Sequence, residues 1–217
     1  METFIDLFLH TDQHLAEFTT AYGHWIYGLL FAIIFAETGL VVTPILPGDS
    51  LLFAAGSLAA MGHLDGWLLF VLLTLAAILG DAVNYAVGNS IGPRVFSSDA
   101  RDTWLQKALN RDHLAKAHAF FERYGGMAIV SGRFVPIVRT FVPFVAGAGT
   151  MSYRSFAFYN VAGAIVWVGA CVGAGYLFGN VPIVKDNFSL VALGIVGVSL
   201  LPIVIAFLRE RYAQPKA

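Results

Sequence analysis

The chain reads as an all-α polytopic membrane protein, built from two re-entrant hairpins and about three transmembrane helices arranged as an inverted repeat. Three observations lead there. Of its 217 residues, 58% are hydrophobic and only 12% charged, with a mean hydropathy of +0.72, whereas a soluble domain carries roughly 25% charged residues. Its apolar stretches are interrupted twice by proline clusters, at Pro44 to Ser50 and at Gly132 to Gly149. No lysine or arginine occurs before Arg94. The length suits a single membrane domain (1–217) and leaves no room for a separate soluble catalytic module.

Residues 1–24 place Phe4, Phe8, Leu15 and Phe18 near one helical stripe, the pattern of a helix lying at the bilayer interface. Glu2, Asp6, Asp12 and Glu17 stand where a secretory signal would need positive charge, so this segment is expected to be retained. Residues 25–60 form the first hairpin. Its apolar run is broken by Glu37-Thr38-Gly39 and then by Pro44, Pro47 and Gly48. Asp49-Ser50 supplies the residue types that open a returning helix.

Residues 67–91 are long enough to cross a membrane. Asp81, Asn84, Tyr85 and Gly88 recur at i, i+3, i+4 and i+7, so they share one face, which must point into the protein. Residues 92–125 mix Arg94, Arg101, Lys107, Arg111, Lys116 and Arg123 with Asp99, Asp102, Asp112 and Glu122, which predicts a cytoplasmic loop of short amphipathic helices. Those acids argue against a nucleic-acid surface. Positive-inside bias and contact with anionic lipid account for the bases.

Residues 126–150 form the second hairpin. Pro136 and Pro143 each lack an amide donor and disfavour helix in the residue before them, so the chain should bend here. The arms of roughly 10 to 14 residues suit a re-entrant element better than a span of about 20. Broken backbone survives at membrane depth only where protein buries it or where it lines a wet cavity. Arg133 and Arg139 are therefore expected to face a cavity. Two further spans are expected at 155–180 and 188–208, followed by a basic tail. With the first hairpin outside, residues 92–125, Arg154 and the C-terminus fall in the cytoplasm, and only Lys185 falls outside, as the positive-inside rule requires. Paired broken segments entering from opposite faces are the pattern of secondary transporters, whose sites lie where the breaks meet.

Glu37, Asp49, Asp81, Arg133 and Arg139 then lie at membrane depth. At roughly 2.5 to 3.5 kcal/mol each, five uncompensated charges would cost on the order of 10 to 15 kcal/mol, comparable with the whole stability of a domain. They must pair, protonate or sit in water. A structural ion-pair network is the plain alternative, but intramembrane charge is by default functional. Two arginines suit a phosphate, since each guanidinium donates a bidentate fork and keeps its proton. A phosphate monoester carries about −1.5 to −2 near neutral pH, which two arginines neutralise. Carboxylates beside it would repel it unless protonated. Head-group binding is thus expected to be linked to proton uptake at Glu37 and Asp49, with Asp81 as a further proton-coupling residue and the hydroxyls of Thr140 and Ser50 as further substrate contacts.

Lipid phosphatase chemistry wants a nucleophile with a positioned base or a metal. No histidine falls near either break, and Cys171 is the single cysteine. His10 and His14 have i, i+4 spacing without an acid placed to complete a metal site. No enzyme activity, metal or cofactor is expected.

The motifs Phe35-Ala36-Glu37-Thr38-Gly39 and Leu46-Pro47-Gly48-Asp49-Ser50, then Gly80-Asp81-Ala82-Val83-Asn84-Tyr85, then Gly132 through Thr140 with Pro143 and Ala146-Gly147, resemble the bacterial DedA family of inner-membrane proteins. The resemblance covers most of the chain. It implies two re-entrant hairpins meeting in the membrane and transport of polyprenyl phosphate, chiefly undecaprenyl phosphate, from the outer to the inner leaflet for envelope synthesis. It also implies dependence on the proton gradient and a need for Glu37, Asp49, Arg133 and Arg139. Relatives in eukaryotic membranes are associated with phospholipid scrambling, so a less selective scramblase and a non-transporting scaffold stand as alternatives. Location in the bacterial inner membrane, partnership with protons and membrane lipids, and compatibility with an oligomer complete the expectation.

Overall fold

The computed structural model describes residues 11–40, 48–96, 111–149 and 151–182, and among them every regular element is a helix. In chain order these are α1 (Thr11–Gly39), α2 (Gly48–Ala60), α3 (Gly66–Phe96), α4 (Arg111–Tyr124), α5 (Met127–Gly132), α6 (Pro136–Ala148) and α7 (Tyr153–Gly179). Pro44, Pro47 and the span expected at 188–208 lie outside the described residues.

Two helices, Gly66–Gly92 within α3 and Tyr153–Gly179, are long and apolar enough to cross a membrane. At about 1.5 Å per residue each exceeds a hydrocarbon core of about 30 Å. They overlap the spans expected at 67–91 and 155–180. By contrast α2 and α6 have 13 residues each, about 20 Å of helix and too short to cross alone.

Two boundaries differ from expectation. Helix α1 runs unbroken from Thr11 to Gly39, through the division expected between residues 24 and 25. Gly23 and Gly28 only weaken a helix, by about 1 kcal/mol each, and no proline occurs before Pro44. Pro143, read from sequence as a break, lies inside α6. The break between α5 and α6 is confined to residues 133–135, where Val135 is extended (φ −113°, ψ 107°) and Pro136 opens the next helix. A residue before proline is pushed to that extended region, and proline fits the first helical position, whose N–H would be orphaned anyway.

The chain divides into two compact units, one of Met1–Leu29, Pro47–Leu69 and Cys171–Ala217, the other of Leu30–Leu46 and Phe70–Ala170. In the first, Asp65 caps α3 by accepting a 2.7 Å bond from the Leu68 N–H, while its own N–H donates to the Tyr27 hydroxyl at 2.6 Å. Helices α2 and α7 pack backbone to backbone. A Cβ on Gly56 would collide with the Val172 carbonyl, and one on Gly175 with the Phe53 carbonyl. The Ser57 hydroxyl adds a 2.9 Å bond to the Gly175 carbonyl.

The second unit repeats this packing between α3 and α6. A Cβ on Gly88 would meet the Phe144 carbonyl, and one on Gly147 the Tyr85 carbonyl. In both units the reciprocal contact joins residues spaced i, i+3 on each helix. One turn on, Gly179 meets Ser57 in the first unit and Gly92 meets Ala148 in the second. The core of the second unit gathers Tyr85, Ile129, Phe141, Val142, Phe144 and Phe156, with the Tyr85 ring stacked on Phe156 at 4.4 Å and its hydroxyl donating to the Met151 carbonyl at 2.6 Å. Helix α4 packs on α6 through Ala117 and the half-buried Phe120 and Phe121, leaving Lys116, His118, Glu122 and Arg123 exposed. It ends at Gly125, whose positive φ of 55° is the left-handed stop that favours glycine.

A buried double ion pair as the candidate functional site

The second unit places Glu37 in the last turn of α1, Asp81 midway along α3, Arg133 at the α5–α6 break and Arg139 in the first turn of α6. All four are drawn into one place. Arg133 is 4% exposed, Asp81 3% and Glu37 1%. The Arg133 Nη2 donates to Asp81 Oδ2 at 2.5 Å and to Asn160 Oδ1 at 2.6 Å. Asn160 is itself fixed, its Nδ2 donating to the Ile78 carbonyl at 3.0 Å. Arg139 forms an ion pair with Glu37.

Trp167, buried in α7, completes the arrangement. Its ring lies 5.7 Å from the Arg133 guanidinium carbon and 5.3 Å from that of Arg139, within range of cation–π attraction. Gly163, one turn before Trp167, brings α7 close to Arg133, since a Cβ there would stand 3.1 Å from Nε. The Glu37 carboxylate and the Arg139 guanidinium each sit at the helix end whose partial charge has their own sign. Their mutual pairing offsets both.

Glu37, Thr38, Asp81, Arg133, Arg139, Thr140 and Trp167 line a cavity of about 10 Å³, room for about one water molecule. Two cations and two anions face it, so it is formally neutral when all four are ionised. Every lining residue belongs to the second unit. Asp49 and Ser50, also singled out from sequence, belong to the first, where they occupy the first turn of α2, Asp49 exposed and Ser50 buried.

Sequence reasoning missed Thr38, Asn160 and Trp167. The signal for two of them was present, because Asn160, Gly163, Ala164 and Trp167 follow i, i+3, i+4, i+7, the same spacing that exposed the Asp81 face of α3.

A VTT domain model matches residues 46–177. The chain is 52% identical to Protein DedA of Escherichia coli K12, over 98% of this chain and 96% of that one. It is 42% identical to an uncharacterized membrane protein of Mycobacterium leprae, over 80% of this chain and 76% of that one. It is 35% identical to the inner membrane protein YghB of E. coli K12, over 75% and 72%. No solved structure matches. The description of YghB supports a location in the bacterial inner membrane. With its apolar helices, its domain match and its near full-length likeness to Protein DedA, the chain belongs to the DedA family of membrane proteins.

Proposed function

We propose that the protein is a flippase that carries a lipid-linked phosphate, undecaprenyl phosphate as its leading substrate, from the outer to the cytoplasmic leaflet of the inner membrane, driven by the proton gradient. The observation that carries this reading is the buried pairing of two arginines with two carboxylates around one small cavity. A carboxylate is the nearest side-chain analogue of a phosphate oxygen pair. Each arginine is thus already aimed at an anion, and the N-terminal end of α6 adds its positive partial charge.

Exchange follows from electrostatics. The cavity admits about one water, so a phosphate enters only as the Arg139–Glu37 and Arg133–Asp81 pairs part. Leaving a buried carboxylate charged and unpaired costs about 3 to 5 kcal/mol, which protonation avoids. Proton uptake at Glu37 or Asp81 therefore accompanies phosphate binding, and proton release on the cytoplasmic side restores the ion pairs and expels the head group. Thr140 contributes a hydroxyl contact in the cavity, while in the first unit Ser50 is a further substrate contact and Asp49 a further proton acceptor at the start of α2. Two re-entrant hairpins, with tail and basic loop in the cytoplasm, give the head group its passage across the bilayer.

The test is flipping of labelled undecaprenyl phosphate in proteoliposomes, with and without an imposed pH gradient, for wild type and Arg139→Lys. Gradient-dependent movement that falls at least tenfold in the lysine variant, which keeps charge but loses the fork, is the expected result. Equal movement of ordinary phospholipid, indifferent to gradient and substitution, would replace this reading with that of a scramblase.

A further inference from the structure

Asn84 lies fully buried on α3, and its single side-chain nitrogen donates to two main-chain carbonyls, Thr38 at 3.1 Å and Thr140 at 2.8 Å. These carbonyls belong to the residues directly after Glu37 and Arg139. Both segments have reason to need an outside donor. Thr38 is in the last turn of α1, where carbonyls have no helical N–H four residues on. The N–H that Pro143 lacks would have met the Arg139 carbonyl, next in the chain to that of Thr140, and the proline ring crowds this turn of α6. In an apolar setting, polar side chains of neighbouring helices are what satisfy such broken backbone.

Helix α3 is shaped for this double contact. One turn before Asn84, a Cβ on Gly80 would collide with the Thr38 hydroxyl; one turn after, a Cβ on Gly88 would collide with the Phe144 carbonyl. The stripe Gly80, Asn84, Gly88 therefore offers a gap for the end of α1, an amide, and a gap for α6. The Asn84 Oδ1 is buried without a hydrogen-bond partner among the described residues. Burying an amide oxygen unsatisfied is unfavourable, so the residue is placed for what its two N–H groups do.

We propose that Asn84 is a positioning residue, whose one amide holds the chain segments bearing Glu37 and Arg139 in the register that lets them pair. The proposal rests on the reading of that pair as part of the transport site. Its test starts from cysteines introduced by Thr38→Cys and Thr140→Cys in a Cys171→Ser background, joined in membranes by a short bifunctional thiol reagent, with flipping assayed in otherwise unmodified protein.

Asn84→Leu, which fills the space without donors, is expected to lower the cross-linking yield several-fold and flipping with it. Asn84→Asp keeps the shape and donates only when protonated, then through a single O–H that holds one of the two carbonyls at a time, so that it restores the register in part. Its yield, relative to the parent at the same pH, is expected to climb as pH falls from about 8 to about 5, which keeps the test open if the leucine variant does not fold. Yields equal to the parent in Asn84→Asp at every pH, or normal flipping where the yield has dropped, would overturn the proposal. Cross-linking reads the register whatever lipid is carried, so absence of flipping in the parent counts against the proposed function instead.

Discussion

Arg133 is gripped from two helices at once. It is held by a carboxylate from α3, an amide oxygen from α7 and an indole face from α7. Removing the Asp81 charge as Asp81→Asn leaves a buried guanidinium without its counter-ion, at a cost of about 3 to 5 kcal/mol. Asn160→Leu deletes a neutral acceptor and should cost about 1 to 3 kcal/mol. Thermal midpoints in detergent, followed by fluorescence-detected size exclusion, should rank wild type above Asn160→Leu and Asn160→Leu above Asp81→Asn. Neutralising both partners, Asp81→Asn with Arg133→Gln, should recover part of the loss. The charges themselves were legible in the sequence, because an ionised group in an apolar segment has few places to go. Which acid meets which arginine was not legible, since it depends on distances between helices far apart in sequence. Trp167 was missed because a tryptophan in an apolar span also fits a lipid-facing surface, and only its seven-residue spacing from Asn160 separates the readings.

At the scale of elements, the short helices α2 and α6 are held by glycines set against carbonyls. That contact is local enough to test within one helix. Nothing stands within 4 Å of a Cβ built on Gly173, whereas one on Gly175 would strike the Phe53 carbonyl. Gly173→Ala should therefore be neutral or stabilising by up to about 1 kcal/mol, from reduced backbone freedom. Gly175→Ala, two residues on, should cost about 1 to 3 kcal/mol as backbones are forced apart, and Gly88→Ala should do the same in the second unit. Equal midpoints for Gly173→Ala and Gly175→Ala would remove close packing as the role of Gly175. The shared face of Asp81, Asn84, Tyr85 and Gly88 followed from helical spacing and is buried as read. The internal repeat was argued from the order of breaks and spans alone. The recurrence of the same reciprocal glycine–carbonyl contact, α2 on α7 and α6 on α3, adds a likeness that the side-chain sequences conceal, because it resides in backbone approach. Proline context misled at Pro143, which lies inside a helix that the isolated sequence would end there.

For the whole molecule, the proposed re-entrant second segment is distinguishable from a broken span. Helices α5 and α6 together run from residue 127 to residue 148, long enough, laid end to end, to cross a membrane once with a kink at residues 133–135. A single crossing there would carry Arg154 to the outside, away from Arg111, Lys116 and Arg123. A re-entrant hairpin returns it to their side, and the positive-inside rule favours that. The two arrangements differ in one observable. Position 63, before α3, and position 152, after α6, are separated by α3 alone if the second segment re-enters, and by two crossings if it spans. Single cysteines introduced by His63→Cys and by Ser152→Cys in a Cys171→Ser background, probed with a membrane-impermeant thiol reagent in spheroplasts, should therefore differ. The first should be modified in intact spheroplasts and the second only after lysis. Modification of both from outside would make the second segment a broken span and would put the arginine cavity on a path that crosses the bilayer, so that one kinked helix and not the meeting of two hairpins would have to carry the head group.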